Sequence, residues 1–115
     1  MLKWFKGLLG GGGPGIGIGA LEANALHKDG AILLDVRSKA ERQGSMIPGS
    51  KHIPLDQLAS QMGQLPQGKT IVCQCASGHR SGVAAGQLRA QGYDARSLSG
   101  GITAWKNAGL PVKKG

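Results

Sequence analysis

Two short, nearly continuous apolar segments constrain the fold of this chain more than any other feature. They are residues 31–36 (AILLDV) and residues 70–74 (TIVCQ). Runs of this length are typical of strands buried on both faces of a parallel sheet, whereas a half-buried strand alternates polar and apolar residues. The chain is therefore predicted to hold helices against both faces of a sheet.

The remaining segments supply those helices and further strands. Helices are predicted at residues 20–28, 55–65, 81–91 and 101–108, a short strand at residues 16–18, extended chain at residues 53–54 and another strand at residues 95–98. Ser38 is predicted to cap a short helix that runs through Glu41. Strands that alternate with helices indicate an α/β domain with a mainly parallel sheet of about five strands, flanked by helices.

Two of the predicted helices carry specific packing expectations. In the first, Leu21, Ala25 and Leu26 share one side, which we expect to be the buried side. In the third, Gly82 and Gly86 each cost about 1 kcal/mol relative to alanine. We interpret these glycines as a sign of close packing against the sheet.

The length of 115 residues suits one domain, and we divide the chain into a tail with a Gly-rich linker at residues 1–15 and a domain at residues 16–115. Trp4 and Phe5 lie between Lys3 and Lys6, which is a composition suited to a membrane interface. Glycines at 10–13 end this segment after one or two helical turns. We therefore favour a loosely packed tail over a membrane anchor.

The charge and the cysteines restrict the class of protein further. The formal net charge is +8, from 14 Lys and Arg against 6 Asp and Glu, but the cations are scattered rather than clustered. This pattern argues against nucleic-acid binding and is compatible with small anionic ligands.

Cys73 and Cys75 are separated by one residue, so a disulfide between them would be strained. We expect a monomer in a reducing, cytoplasmic compartment.

Three apparent motifs, for phosphate, dinucleotide and zinc binding, lack the structural context or residue spacing that these functions require. Residues 63–70 (GQLPQGKT) match the phosphate-loop pattern, but a helix precedes them and a strand follows, which is the reverse of the required order. The glycines at 15, 17 and 19 lack the preceding strand of a dinucleotide site. Cys73, Cys75, His79 and His52 do not have the spacing of a usual zinc site, so we expect no metal.

Cys75 follows the second buried run directly and opens a loop at residues 76–80. Ligands bind at the carboxyl ends of parallel strands, which is where this loop falls. Gly78 permits a tight turn, and a helix begins near Ser81, so loop amides and the helix dipole are expected to face the Cys75 sulfur. Both favour the thiolate, and we predict a lowered pKa and a nucleophilic Cys75. Cys73 lies inside the strand and is expected to be an inert core residue.

Four motifs in this order resemble the signatures of the rhodanese homology family. They are LDVR with Glu41 at residues 34–41, IPGS and IP at residues 47–54, C-x4-RS at residues 75–81, and GGI, W and AGLPV at residues 100–112. Each motif alone is weak, but the ordered set is specific and extends from about residue 16 to residue 112. The resemblance implies a rhodanese-like three-layer α/β domain.

The resemblance also implies a sulfurtransferase of the thiosulfate sulfurtransferase type. Cys75 would take sulfur from a sulfane donor such as thiosulfate, carry it as a persulfide and pass it to cyanide or a thiol. The implied substrate- and persulfide-binding loop consists of Ala76, Ser77, Gly78, His79, Arg80 and Ser81. The implied partners are a small sulfur-containing anion or a protein persulfide donor, and a thiol acceptor, with no cofactor.

Arg80 would hold the loop closed and add positive field, unless it is simply solvated. Asp35 and Arg37 would support the loop and the neighbouring strands, although a purely structural Asp–Arg pair fits the sequence equally well. Four residues separate Cys75 from Arg80, whereas the related phosphatases and arsenate reductases have five, and the shorter loop favours sulfur.

The chain departs from the family pattern at two places. Ser45 and Met46 stand where members often carry Gly-His, which affects the local turn. Ala76 and Ser77 stand where thiosulfate-specific members often carry basic residues. These uncharged residues favour an alternative function, that of a persulfide carrier with low intrinsic thiosulfate turnover. Whether His79 acts as a cation near the site is left open.

Overall fold

A computed structural model describes residues 16–115 of the chain, so the predicted tail and linker at residues 1–15 lie outside the described residues. Five strands form one sheet in the order β1-β5-β4-β2-β3, and all neighbouring pairs are parallel. The strands are β1 (Gly17–Ile18), β2 (Ile32–Asp35), β3 (Lys51–His52), β4 (Thr70–Gln74) and β5 (Asp94–Leu98). The predicted α/β class is confirmed, and the sheet is wholly rather than mainly parallel.

The helices pack on both faces of this sheet. They are α1 (Ala20–Lys28), α2 (Lys39–Gly44), α3 (Leu58–Gln61), α4 (His79–Ala90) and α5 (Gly101–Asn107). On β4, Ile71 and Cys73 belong to one apolar cluster together with Leu88 of α4, while Val72 belongs to a second cluster with Trp105 of α5. Both faces of β4 are thus buried, which explains its nearly continuous apolar sequence.

The predicted buried side of α1 is wrong at Leu21 and Ala25, whereas Leu26 packs against the core as expected. Leu21 is 69% exposed, and Ala25 is exposed as well. The buried residue of this helix is Ala23, with Ala20 and Leu26 packed against the same cluster. The helix lies close to its neighbours through small alanine side chains, so the largest apolar residue does not mark the buried side.

The interpretation of Gly82 and Gly86 is also wrong. Apart from the neighbouring backbone of α4 itself, a Cβ atom added to either glycine would meet no atom within 4 Å. These glycines therefore do not allow a close approach to the sheet, and nothing in the structure explains their presence inside α4.

The segment predicted as one helix at residues 55–65 is broken into three pieces. A 3-10 turn (Leu55–Gln57), the single turn of α3 and a second 3-10 turn (Met62–Gln64) follow one another. The single hydroxyl hydrogen of Tyr93 is shared between the carbonyl oxygen atoms of Met62 and Leu65, which lie 2.8 and 3.0 Å from the hydroxyl oxygen, and this contact holds the end of the segment. The apolar spacing marks a buried face, as Leu58 shows, but does not require a continuous helix.

Within residues 16–115, no helix is both long enough and apolar enough to cross a bilayer. The phosphate-loop-like residues 63–70 run from the second 3-10 turn into β4, so a strand follows them and no helix begins there. The order predicted for this segment is confirmed.

Candidate functional site

Cys75 is the first residue after β4 and is 1% exposed. Its sulfur accepts hydrogen bonds from the backbone amides of Gly78, at 3.1 Å, and Ser81, at 3.4 Å. The Ser81 hydroxyl oxygen lies 3.5 Å from the same sulfur. Gly78 has a φ of +112°, which turns the chain into the amino terminus of α4 and brings these amides to the sulfur.

The carbonyl groups of the Cys75 loop are held on its other side by the start of α5. The amide of Ile102 donates to the Cys75 carbonyl oxygen at 2.8 Å, and the Thr103 hydroxyl group donates to the Ala76 carbonyl oxygen at 3.2 Å. A Cβ atom at Gly101 would overlap both of these carbonyl groups. The contact fixes the peptide planes, so that the following amides point toward the Cys75 sulfur.

The two cysteines have opposite acid–base properties. For Cys75, burial raises the pKa, but hydrogen bonds from the Ser81 side chain and from the amides of Ser81, Gly78 and Ser77 outweigh it, and the pKa lies below its ordinary value. For Cys73, burial raises the pKa to about 12. The sulfur that ionises more easily is therefore the one in the loop.

Arg80 is bound to a carboxylate on a different helix. Its guanidinium group makes two hydrogen bonds to Glu41, at 2.7 and 2.8 Å. Glu41 is the third residue of α2 and forms a capping box with Ser38, of which only the capping role of Ser38 was predicted. The hydrogen bond from Arg80 lowers the pKa of Glu41 to about 2. Glu41 belongs to the first of the family motifs, but its pairing with Arg80 was not predicted.

Asp35 and Arg37 form a buried ion pair at the end of β2. The Asp35 carboxylate, which is 0% exposed, accepts from the Arg37 guanidinium group through both oxygen atoms, each at 2.9 Å, and from Arg42 at 3.2 Å. Arg37 also donates to the carbonyl oxygen of Ser45 at 2.6 Å. The link to the Cys75 loop is indirect and runs through Glu41, whose carbonyl oxygen lies 3.5 Å from Arg37. The participation of Arg42 was not predicted.

The other predicted loop residues differ in exposure. Ser77 and His79 are exposed, Ala76 is partly exposed and Ser81 is buried. The Nε2 atom of His52 donates to the Arg37 carbonyl oxygen at 2.8 Å. Among residues 16–115, no three His, Cys, Asp or Glu side chains are arranged to hold a metal ion. The roles of the loop residues stay predictions. The structure places the amides of Ser77, Gly78 and Ser81 at the Cys75 sulfur.

One buried partner of the site could not be predicted. The Ser97 hydroxyl group on β5 lies 2.8 Å from that of Ser81. No motif includes Ser97, and only the parallel pairing of β4 with β5 places it beside the start of α4.

Comparisons with known proteins agree with this geometry. Residues 20–108 match the rhodanese-like domain. A sulfurtransferase of Allochromatium vinosum is 36% identical over 94 residues, which cover 81% of this chain and 88% of that protein. The thiosulfate sulfurtransferase GlpE of Pseudomonas savastanoi is 35% identical over 86 residues, covering 74% of this chain and 81% of that enzyme.

Two further comparisons extend this result. An uncharacterised Synechocystis protein is 46% identical over 91 residues, and the match covers 76% of this chain but half the length of that relative. The crystal structure of a rhodanese-related protein from Thermoplasma volcanium superposes with a TM-score of 0.80 and 31% identity, covering 84% of this chain and 96% of that one. With a loop of this form at the end of the central strand and a family match over most of its length, the chain belongs to the rhodanese-like domain family.

Proposed function

We propose that this protein transfers sulfane sulfur from a donor to a thiophilic acceptor through a persulfide on Cys75. The observation that carries the proposal is the coordination of the Cys75 sulfur by the amides of Gly78 and Ser81 at the amino terminus of α4. This arrangement stabilises negative charge on sulfur, which both the attacking thiolate and the persulfide carry. Homology to sulfurtransferases at about 35% identity supports the same chemistry.

The first half of the reaction loads the sulfur. The Cys75 thiolate attacks the outer sulfur of the donor, and a new S–S bond forms. With thiosulfate, the S–S bond of the donor breaks and its electron pair leaves with sulfite. The remaining negative charge lies on the outer sulfur of the persulfide, within reach of the loop amides.

The second half of the reaction unloads the sulfur. A nucleophile such as cyanide or a thiolate attacks the outer sulfur, and the Cys75–S bond breaks with its electron pair returning to Cys75. Cyanide leaves as thiocyanate and a thiolate as a new persulfide. The Cys75 thiolate is regenerated, so no cofactor or external redox partner is consumed.

A persulfide carrier is the second candidate function, and two observations favour it. The loop positions Ala76 and Ser77 are uncharged, and the Arg80 guanidinium group is already engaged by Glu41. Thiosulfate is a dianion and would meet little free positive charge in this loop. A protein donor supplies binding energy elsewhere on its surface and does not need that charge.

Mass spectrometry of the intact protein tests the formation of the Cys75 persulfide, which both candidate functions share. After treatment with thiosulfate or polysulfide we expect an adduct of about 32 Da, one sulfur atom, that is removed by cyanide. The adduct is expected in Cys73→Ala and absent in Cys75→Ser. A protein that forms no such adduct with any sulfane donor does not have the proposed function.

Kinetics separate the two candidates. An enzyme of the thiosulfate type turns over thiosulfate and cyanide steadily. A carrier loads normally from a persulfidated cysteine desulfurase, used as the protein donor, but shows negligible turnover with thiosulfate.

A further inference from the structure

Ser97 has an unusual position for a buried polar residue. It lies on β5, is 4% exposed, and its hydroxyl group is 2.8 Å from the hydroxyl group of Ser81. Within residues 16–115 the Ser97 hydroxyl has no other hydrogen-bond partner. A buried hydroxyl group that leaves its hydrogen unused is costly, so the O–H of Ser97 is expected to donate to Ser81.

The Ser81 hydroxyl has more neighbours than its single hydrogen atom can serve. Its oxygen lies 3.2 Å from the Gly78 carbonyl oxygen and 3.5 Å from the Cys75 sulfur, in addition to its contact with Ser97. A hydroxyl group donates one hydrogen bond and accepts two. If Ser81 donated to Ser97, it would have no hydrogen left for Cys75.

Every hydroxyl hydrogen has an acceptor, and Ser81 keeps its own for Cys75, only when Ser97 is the donor. With a Cys75 thiol, Ser81 accepts from both Ser97 and the S–H group and donates to Gly78. With a thiolate, the Ser81 hydrogen turns to the sulfur. Gly78 then keeps a partner, because its carbonyl oxygen also accepts from the Gly82 amide at 3.1 Å.

We propose that Ser97 is a positioning residue of the site: by donating to the Ser81 hydroxyl group, it directs the Ser81 hydrogen toward the Cys75 sulfur. Ser97 does not touch the sulfur itself. Hydrogen bonds in such a chain polarise one another, so the bond from Ser81 to a thiolate is strengthened by the bond from Ser97. The proton released on ionisation goes to solvent, and no group in the chain changes its net charge except Cys75.

The other ionisable groups near the sulfur stay unchanged in the test. They are Cys73 on β4, His79 and Arg80 at the start of α4, and Glu41 on α2, which binds Arg80. The contacts that β5 and α5 make with the Cys75–Ser81 segment come from uncharged residues. A change measured in a Ser97 variant therefore does not arise from a new or lost charge.

The inference rests on the proposed role of Cys75 but is tested without sulfur transfer. The rate of Cys75 alkylation by iodoacetamide, followed across pH, gives the pKa of its thiol. We expect Ser81→Ala to raise this pKa by about one to two, because a hydrogen bond to the charged form is lost. We expect Ser97→Ala to raise it by about 0.3–0.5, because only the polarising bond is lost.

The double variant distinguishes a positioning role from a structural one. If Ser97 acts through Ser81, then Ser97→Ala has no further effect on the pKa in a Ser81→Ala background. Ser97→Thr keeps the hydroxyl group and is expected to retain the wild-type value. Ser99→Ala, which removes an exposed serine two residues further along, is the matched control.

Two results would overturn the inference. One is an unchanged pKa in folded Ser97→Ala, and the other is the same increase with and without Ser81. If Ser97→Thr does not fold, the two single alanine variants and their double variant still show whether Ser97 acts through Ser81. Failure of the proposed function is seen separately, because the wild-type protein would then show the expected alkylation profile but form no persulfide.

Discussion

The guanidinium group of Arg80 and the carboxylate of Glu41 form a two-point ion pair across 39 residues of sequence. The pair ties the start of α4, and with it the Cys75 loop, to α2. Arg80 lies next to Ser81, whose amide binds the Cys75 sulfur. The pair thus fixes the orientation of the amides without contacting the sulfur.

Glu41→Gln is expected to lower the free energy of unfolding by less than about 1 kcal/mol at pH 7. Both partners are about one-third exposed, at 37% and 35%, so solvent screens their attraction. Glutamine can still serve the capping arrangement with Ser38. Urea denaturation measures the change, and Asp56→Asn, an exposed carboxylate outside any ion pair of residues 16–115, is the control.

The same pair predicts a pH dependence. The folded-state pKa of Glu41, about 2, is below its ordinary value of 4.5. Stabilisation by a depressed carboxyl pKa is complete above the unfolded value and is lost as pH falls toward the folded one. The difference in unfolding free energy between wild type and Glu41→Gln should therefore shrink between pH 4.5 and pH 2. A difference that stays constant over that range would contradict this assignment.

Asp35→Ala is expected to destabilise the fold by about 3–5 kcal/mol. The carboxylate is fully buried, and its loss leaves the guanidinium groups of Arg37 and Arg42 without their shared counter-charge. Thermal or urea unfolding gives the measurement. Asp94→Ala is the comparison, because Asp94 pairs with Arg96 at an exposed site, and we expect a loss below about 1 kcal/mol there.

Gly101→Ala is expected to displace the Cys75 loop. The added Cβ would overlap the carbonyl groups of Cys75 and Ala76, and the φ of +60° strains any larger residue. We expect a loss of about 1–3 kcal/mol in unfolding free energy and a marked fall in the rate of persulfide formation. Gly86→Ala on α4 is the control, since its Cβ meets nothing within 4 Å, and we expect it to stabilise the fold by about 0.5–1 kcal/mol.

Much of the fold could be predicted because the two central strands, β2 and β4, are covered on both faces of the sheet and therefore have nearly continuous apolar sequences. The runs that form β2 and β4 and the position of Cys75 follow from local pattern. The strand Lys51–His52 was missed because its residues are polar and it lies at the sheet edge. A two-residue edge strand is specified by its neighbour rather than by its own sequence.

The side-chain network of the site depends on tertiary pairing and is largely invisible in the sequence. The capping arrangement of Ser38 with Glu41 is a local pattern and was predicted in part. The partner of Arg80 is 39 residues away, and the contact of Ser97 with Ser81 requires the parallel register of β4 and β5. Spacing along the chain carries no information about such contacts.

Ser77→Lys tests how the donor is selected. Ser77 is exposed in the loop, and its side chain can be changed without removing the amide that faces the sulfur. A lysine adds a cation near the path of thiosulfate, and an attraction of about 1 kcal/mol lowers KM for this dianion several-fold. Loading from a protein persulfide donor is expected to change little. Steady-state kinetics with thiosulfate and cyanide give the measurement.

Two controls test whether the effect of Ser77→Lys on KM is electrostatic and local: high salt, and a lysine placed far from the loop. In 1 M salt, where the screening length is about 3 Å, the gain in KM should largely disappear. Gln91→Lys adds the same charge at the opposite end of α4, and we expect no effect on KM from it. If Gln91→Lys lowers KM as much as Ser77→Lys, then thiosulfate responds to net charge rather than to the loop. In that case the uncharged Ala76 and Ser77 do not explain a preference for a protein donor.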